Sequence, residues 1–347
     1  MVLVEAFAAL VLLGLVAYTV LGGADFGGGV WDLLAGGARR EQQRSLIEHA
    51  IGPIWEANHV WLILVVVLLF TCFPPAFATI VTELHVPLTI MLVGIVLRGS
   101  AFTFRAYDSR ADDVQRRWGL VFSLSSILTP AALGTVVGAL ASGAVGTASA
   151  LPAAPFSERF IVPWANPFVL GVGAFTLVLF AFLAAVYLTV ESEGDIGLQR
   201  DFQRRALVAG VAVFACAFGT LALARTHAPR LLEGVTRSPA ALPLQLATGA
   251  TALLALGSLL AGRFRLARGA AAAQVSLILW GWGLSQSPYV VPPTLTIHDA
   301  AAPAVTLRLT LGALALGAIV LVPSLAYLFR VFKARRSAFA SLDQSAP

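Results

Sequence analysis

The sequence predicts an all-α integral membrane protein with nine transmembrane helices. Of its 347 residues, 58% are hydrophobic and only 12% are charged, whereas about 25% of the residues in a soluble domain are charged. The apolar residues fall into runs of about 20, the length at which a helix crosses a hydrocarbon core of about 30 Å. Because unpaired backbone groups are too costly in lipid for an open sheet, these runs are predicted to be helices.

The nine predicted spans follow one another along the whole chain. The first run has no basic segment before it, so we expect a span that is retained rather than a cleaved leader. The predicted spans cover approximately residues 3–22, 54–73, 78–98, 119–141, 165–190, 206–225, 241–261, 270–288 and 305–329.

Basic residues are distributed unevenly between the two sides of these spans. Eighteen of the 23 lysines and arginines follow an odd-numbered span, and the other five lie at the opposite ends. Because cytoplasmic loops are enriched in lysine and arginine, we predict an amino terminus outside and a carboxyl terminus in the cytoplasm. The net charge of +5 is explained by basic residues placed according to membrane topology, and it gives no support for nucleic-acid binding.

The chain is expected to form one polytopic membrane domain over residues 1–347. An outer loop rich in alanine, glycine and proline, residues 143–163, joins two pseudo-halves at about 1–142 and 164–333. Residues 334–347 are predicted to be a cytoplasmic tail. Short similar sequences open spans two and five, but two short matches do not establish a repeat.

The connection between spans one and two mixes charged and apolar residues over residues 38–50. This pattern is typical of an amphipathic helix at a membrane surface. A plain solvated connector is the alternative.

Two acids border the first two spans, where carboxylates are costly and therefore informative. Asp25 lies in a glycine-rich run at the cytoplasmic end of span one, and Glu56 lies in the first turn of span two. The simpler interpretations are a solvated acid for Asp25 and a favourable helix-dipole interaction for Glu56. The functional interpretation is that both carboxyl groups handle protons.

Polar neighbours strengthen that interpretation for Glu56. His59 follows three residues later on the same predicted helix face, with Trp55 and Asn58 on the adjoining face. Such a cluster can hold water and pass protons. Arg98, which directly ends a long apolar run, is expected either to snorkel to the interface or to pair with a buried carboxylate such as Glu56.

Metal and haem ligation by this chain have little support in the sequence. The Glu56-x-x-His59 spacing is also found in di-iron bundles, but those need the unit twice together with two further glutamates. Of the five histidines, three lie in or beside loops, and the two cysteines match no ligand motif. We therefore predict no metal site, no catalytic residue and no cofactor bound by this chain.

Between them, four blocks of the sequence contain glycines, aromatic residues and the charged residues discussed above. The blocks are Gly22-Gly23-Ala24-Asp25-Phe26-Gly27-Gly28-Gly29, Trp55-Glu56-Ala57-Asn58-His59-Val60-Trp61-Leu62, Leu97-Arg98-Gly99-Ser100-Ala101-Phe102-Thr103-Phe104-Arg105 and Leu295-Thr296-Ile297-His298-Asp299-Ala300-Ala301. Together they resemble blocks of subunit II of the cytochrome bd-type quinol oxidases. In this chain Gly22 stands where the family often has an acid, Thr103 replaces a glutamate and Glu56 replaces an aspartate. The resemblance thus implies that one carboxylate is missing, whereas Glu56 keeps its function with one more methylene of reach.

The resemblance implies two four-helix bundles plus one peripheral helix in a bacterial inner membrane. It implies a partner, subunit I, that carries the haems b and d and the quinol site. This chain would stabilise subunit I and supply protons through Glu56, the stronger candidate, and Asp25. A small accessory subunit, membrane lipids and a structural quinone are further partners compatible with the family.

Two other functions stay open at this point. Intramembrane acids and glycine-interrupted helices are also typical of secondary transporters. A structural scaffold with inert acids is the third interpretation.

Overall fold

The computed structural model describes residues 2–51, 55–107, 112–146 and 155–343, and these are mostly helical. The helices of the first half are α1 (Val2–Ala17), α2 (Gly23–Leu33), α3 (Arg40–Ile51), α4 (Trp55–Cys72), α5 (Pro74–Glu83), α6 (His85–Tyr107) and α7 (Asp112–Ser142). Those of the second half are α8 (Phe156–Phe160), α9 (Pro167–Glu191), α10 (Ile196–His227), α11 (Pro229–Arg237), α12 (Ala241–Leu260), α13 (Phe264–Gln286) and α14 (Ala304–Asp343). A small antiparallel hairpin, β1 (Tyr289–Val291) and β2 (Leu295–Thr296), precedes α14.

Seven helical segments among the described residues are long and apolar enough to cross a membrane. An eighth candidate is the pair α4 and α5, which is bent by 118°. The segment predicted as the eighth span is α13, a 23-residue helix that contains two arginines and two glutamines and is less apolar than the others. The structure therefore supports a multi-span helical protein, and the number nine stays a prediction.

Two predicted boundaries were wrong. The first span was expected to end at residue 22, but the helix continues through a π-helical turn, Tyr18–Gly22, to Leu33. The glycines after the turn have low helix propensity, and tertiary packing of α2 against α7 and α9 overrides it. The third span was expected to begin at residue 78, but Pro74–Glu83 form the separate helix α5.

The core is centred on α9, which packs against α2, α7 and α10. At one end of the bundle it buries Phe182 together with Trp31 and Ile47, and at the other end it buries Phe168 together with Phe7. Both of these buried clusters contain residues of the two predicted pseudo-halves. Part of the loop expected between them, residues 147–154, lies outside the described residues.

The segment predicted to be an amphipathic helix, residues 38–50, forms the helix α3. It lies at the end of the bundle where Trp31 and Phe182 are buried. It buries Ile47 and Gln43 and leaves Arg40 and Glu41 exposed. Arg39 donates two hydrogen bonds to Asp201 of α10, of 2.8 and 2.6 Å, and Gln43 donates a third of 2.9 Å. We call this the α3 end of the bundle.

Arginines of other connections gather at the α3 end. Arg265 pairs with Glu193 at 2.9 Å, and Arg268 pairs with Glu191 at 3.3 Å. The basic connections after the first, fifth and seventh predicted spans thus meet at one end of the bundle.

The last helix, α14, lies at the edge of the bundle. The backbone nitrogen of Ala302, just before it, donates to the carbonyl of Cys72 at 2.8 Å. Leu309 and Leu316 of α14 are 71% and 70% exposed. The helix runs to Asp343 and so includes much of the segment that was predicted to be a tail from residue 334.

Candidate functional site

A cluster of buried polar side chains lies between α2, α4, α6 and α7. At its centre Asp25 of α2 is only 5% exposed. Its Oδ2 accepts a hydrogen bond of 2.5 Å from Asn58 Nδ2 of α4, which also donates to the carbonyl of Leu21 at 3.4 Å. Asp25 is therefore not at a solvated helix end, as its simpler interpretation required, but inside the bundle.

Arg98 of α6 supplies a positive charge beside this acid. It is 2% exposed, and its Nε donates to Ser126 Oγ of α7 at 3.2 Å. Its guanidinium carbon lies 4.6 Å from the ring centre of Phe26 and 5.3 Å from that of Phe122, within the range of a cation–π interaction. Its Nη2 atom has no hydrogen-bond partner among the described side chains.

Asp25 and Arg98 interact electrostatically without forming a direct ion pair. A buried charge that loses its counter-charge costs about 3–5 kcal/mol. Each of these two groups is therefore needed to hold the other in the apolar interior.

Aromatic rings line the side of the cluster that faces α1 and α9. Tyr18 and Phe26 each have a ring centre 6.0 Å from that of His59, and Phe26 lies 6.3 Å from Phe180. Tyr18, Phe26 and Phe180 are all nearly completely buried. These rings exclude bulk water from the Asp25–Arg98 pair on that side.

Two glycines allow the helices to come close enough to enclose the cluster. A Cβ atom on Gly27 would lie 2.0 Å from the carbonyl oxygen of Phe180, and one on Gly29 would lie 2.2 Å from Ser126 Cβ. Both distances are shorter than any real contact of a Cβ atom. The glycine-rich run is thus explained by the contacts of α2 with α9 and α7.

Glu56 does not join this cluster. The buried face of α4 carries Asn58 together with Val65, Leu68 and Cys72, whereas Glu56 is exposed. Glu56 shares its exposed face with Ile63, which is 60% exposed, and Phe70, which is 61% exposed. In the described part of the chain it makes no hydrogen bond or ion pair.

The predicted polar cluster is therefore brought together only in part. Asn58, His59 and Arg98 surround Asp25, and the carboxylate beside Arg98 is Asp25 rather than Glu56. The side chain of Trp55 lies outside the described residues. Of the two alternatives for Arg98, the structure places it beside a buried carboxylate, and Glu56 is not that carboxylate because it lies on the exposed face of α4.

One buried acid was missed by the sequence analysis. Asp32 is 1% exposed, accepts a hydrogen bond of 3.2 Å from Ser123 Oγ and lies 3.8 Å from Arg44 Nε. It follows Asp25 by seven residues, which places the two acids on one helix face. That signal was hidden because the first span was predicted to end before either acid.

The described residues contain no group of three or more histidine, cysteine, aspartate or glutamate side chains that could hold a metal ion. What surrounds Asp25 is the guanidinium of Arg98, the amide of Asn58, the imidazole of His59 and the hydroxyl of Ser126. This arrangement can accept, hold and release a proton.

The fold and the site together define a class: a multi-span helical membrane protein with a buried acid–arginine pair. The chain belongs to the family "Cytochrome bd terminal oxidase subunit II", whose model matches residues 3–332. The homologues are subunits of cytochrome bd quinol oxidases, which are oxidoreductase complexes of the respiratory chain. The family and the seven apolar helices make the chain a multi-pass protein of the bacterial inner membrane.

Individual relatives agree with the family match. The chain is 24% identical over 322 residues, 91% of each chain, to a Bacillus subtilis protein provisionally described as cytochrome bd menaquinol oxidase subunit II. It is 25% identical over 206 residues to the cytochrome bd-I ubiquinol oxidase subunit 2 of Escherichia coli, covering 58% of this chain and 52% of that one.

A solved structure shows the same fold. A chain of the bd oxidase from Geobacillus thermodenitrificans aligns with a TM-score of 0.72 at 22% identity. The alignment covers 96% of this chain and 99% of the other.

Proposed function

We propose that this chain stabilises a haem-bearing subunit I and carries protons to it for the reduction of oxygen to water. Oxygen reduction consumes protons, and a site buried in a membrane needs a conduit to obtain them. In this proposal the haems b and d and the quinol site belong to subunit I. This chain contributes no catalytic residue.

The observation that carries the proposal is the burial of Asp25 beside Arg98. Ionisable residues inside a membrane bundle are expensive and usually mark ion or proton pathways. Asp25 has a hydrogen-bond donor, Asn58, and a nearby cation, Arg98. Neither partner neutralises the acid by direct ion pairing, so Asp25 can change its protonation state without breaking a salt bridge.

The α3 end is assigned to the cytoplasm in this proposal. The ion pairs of Arg39, Arg265 and Arg268 gather basic connections at that end, and basic residues favour the cytoplasmic side. Protons therefore enter from the side of α3. The amino terminus of α1 then lies outside.

Glu56 is assigned to the boundary with subunit I. It lies on the exposed face of α4. The apolar side chains exposed on that helix are 45–61% accessible and belong to Ile63, Val66, Val67 and Phe70. An apolar face that also carries a carboxylate suits a protein partner better than lipid, because lipid cannot solvate the acid. Glu56 would pass protons across that boundary.

We expect the native chain, purified in mild detergent, to bring a haem-containing integral membrane protein with it. The complex should oxidise quinol with oxygen, whereas this chain alone should have no activity. Absorption spectra and subunit gels measure both results. Recovery of this chain as a haem-free protein that transports a solute in vesicles would instead support the transporter interpretation.

Replacing Glu56 with glutamine is expected to lower quinol oxidase turnover by about threefold or more, because glutamine keeps the size of the side chain but carries no exchangeable acid proton. Haem content and subunit ratio should not change, since Glu56 makes no hydrogen bond or ion pair within the part of the chain that the structure describes. Oxygen consumption of the purified complex measures turnover. Unchanged turnover would remove Glu56 from the pathway.

A further inference from the structure

A second buried carboxyl, Asp32, lies between Asp25 and the α3 end of the bundle. Seven residues of helix advance about 10 Å along the axis and return to nearly the same face. Asp32 is 1% exposed, so its burial is as unusual for an acid as that of Asp25. Nothing in the role proposed for Asp25 explains why a second acid is buried there.

Hydroxyl groups of α7 fill the interval between the two acids. Ser123 donates to Asp32 at 3.2 Å, and Ser126, three residues further along α7, accepts from Arg98 at 3.2 Å. Gly29 lies on α2 between the two acids, and its missing side chain leaves the space that Ser126 occupies. The contact between α2 and α7 thus carries polar groups from Asp32 to the Arg98–Asp25 pair.

The other side of Asp32 leads towards water. Arg44 of α3 lies 3.8 Å from its Oδ1, and the side chain of Arg44 is 26% exposed. Arg44 therefore connects a fully buried acid to the surface of the α3 end.

We propose that Asp32 is the entry carboxyl of the proton route, taking up protons beside Arg44 and passing them along the α2–α7 contact to Asp25. Each cycle moves one proton through Asp32 and leaves its carboxylate as it began, so no other reactant is consumed. This inference rests on the proposed function, because it requires that Asp25 conducts protons. It differs from that function in assigning the entrance.

The test compares Asp32→Asn with Asp32→Glu in the purified complex. Asparagine can still accept the hydrogen bond from Ser123 but cannot carry a proton, so turnover and the rate of proton uptake should fall about threefold to tenfold. Glutamate should restore at least half of both rates. Should the asparagine variant not assemble with haem, Asp32→Gln and Asp32→Glu make the same comparison at equal size.

A double variant separates conduction from structure. If the two acids act in series, Asp25→Asn with Asp32→Asn should be no slower than Asp25→Asn alone, whereas two independent structural defects would multiply. The matched control is Glu83→Gln, since Glu83 is 3% exposed and accepts from the Gly146 nitrogen at the opposite end of the bundle. That control should keep the turnover of the unmodified complex.

The outcomes distinguish the two proposals. Wild-type turnover in Asp32→Asn, together with a slow Asp25→Asn complex, would overturn the role of Asp32 and leave the proposed function in place. Equal losses in Asp32→Asn and Asp32→Glu would show that Asp32 only holds helices together. Wild-type turnover in Asp25→Asn would overturn the proposed function itself.

Discussion

Replacing Asp25 with asparagine is expected to slow quinol oxidation by the assembled complex by about tenfold or more, which corresponds to about 1.4 kcal/mol in the activation barrier. The amide can still accept the hydrogen bond that Asn58 donates at 2.5 Å, so the local geometry is kept. What is lost is the exchangeable proton and the negative charge beside Arg98. Oxygen consumption per haem measures this effect independently of yield.

The loss of charge at Asp25 also has a structural consequence that needs its own control. Arg98 would become a buried cation without its counter-charge, so the yield of the asparagine complex should fall. Asp25→Glu keeps both the acid and the charge and should recover yield and much of the turnover. A fully assembled asparagine variant with normal turnover would show that Asp25 is not part of the pathway.

Replacing Gly27 with alanine is expected to destabilise the bundle by about 3 kcal/mol, the upper part of the range for an overpacked core. The new Cβ atom would lie 2.0 Å from the carbonyl oxygen of Phe180, and that oxygen is backbone that cannot rotate away. Helices α2 and α9 would have to separate, which would loosen the packing around Asp25. Thermal unfolding of the complex, followed by the loss of bound haem, measures the change.

Gly249 provides the matched control for that substitution. It is an exposed glycine within α12, and no atom lies within 4 Å of the position of its Cβ. Gly249→Ala should therefore stabilise the helix by up to about 1 kcal/mol, because alanine has the higher helix propensity. Opposite signs for the two changes would show that packing dominates at Gly27, and equal signs would contradict this explanation.

The helical segments of the fold could be predicted from the sequence because local runs of apolar and basic residues determine them. Apolar runs identified the helical segments, and the uneven distribution of arginine indicated which connections gather at one end. The end of the first helix could not be predicted in this way. Its course from Gly22 to Leu33 depends on Gly27 and Gly29 fitting against α9 and α7, and such contacts between distant segments leave no periodic signal.

The structure brings only part of the predicted candidate site together, and the relative weight of Glu56 and Asp25 stays a prediction. Glu56 ranked above Asp25 because it had polar neighbours in sequence, including His59 three residues away. Neighbours in sequence do not determine which face of a helix is buried, and Glu56 is exposed while Asn58 faces Asp25. Asp32 was missed for a related reason. The first helix was predicted to end before residue 32, so an acid at that position was expected to lie in solvent.

The charge on Arg98 has a consequence for how this protein is inserted into the membrane. Arginine near the middle of a membrane helix costs about 2.5–3.5 kcal/mol at insertion, and α6 is otherwise strongly apolar. Only the arrival of Asp25, Phe26, Phe122 and Ser126 around the guanidinium offsets that cost. During synthesis α6 therefore has to dock against the earlier helix α2 and the later helix α7 soon after it leaves the translocon. A defect at Asp25 would then show itself first as a shorter lifetime of the newly made chain, before any enzyme assembles.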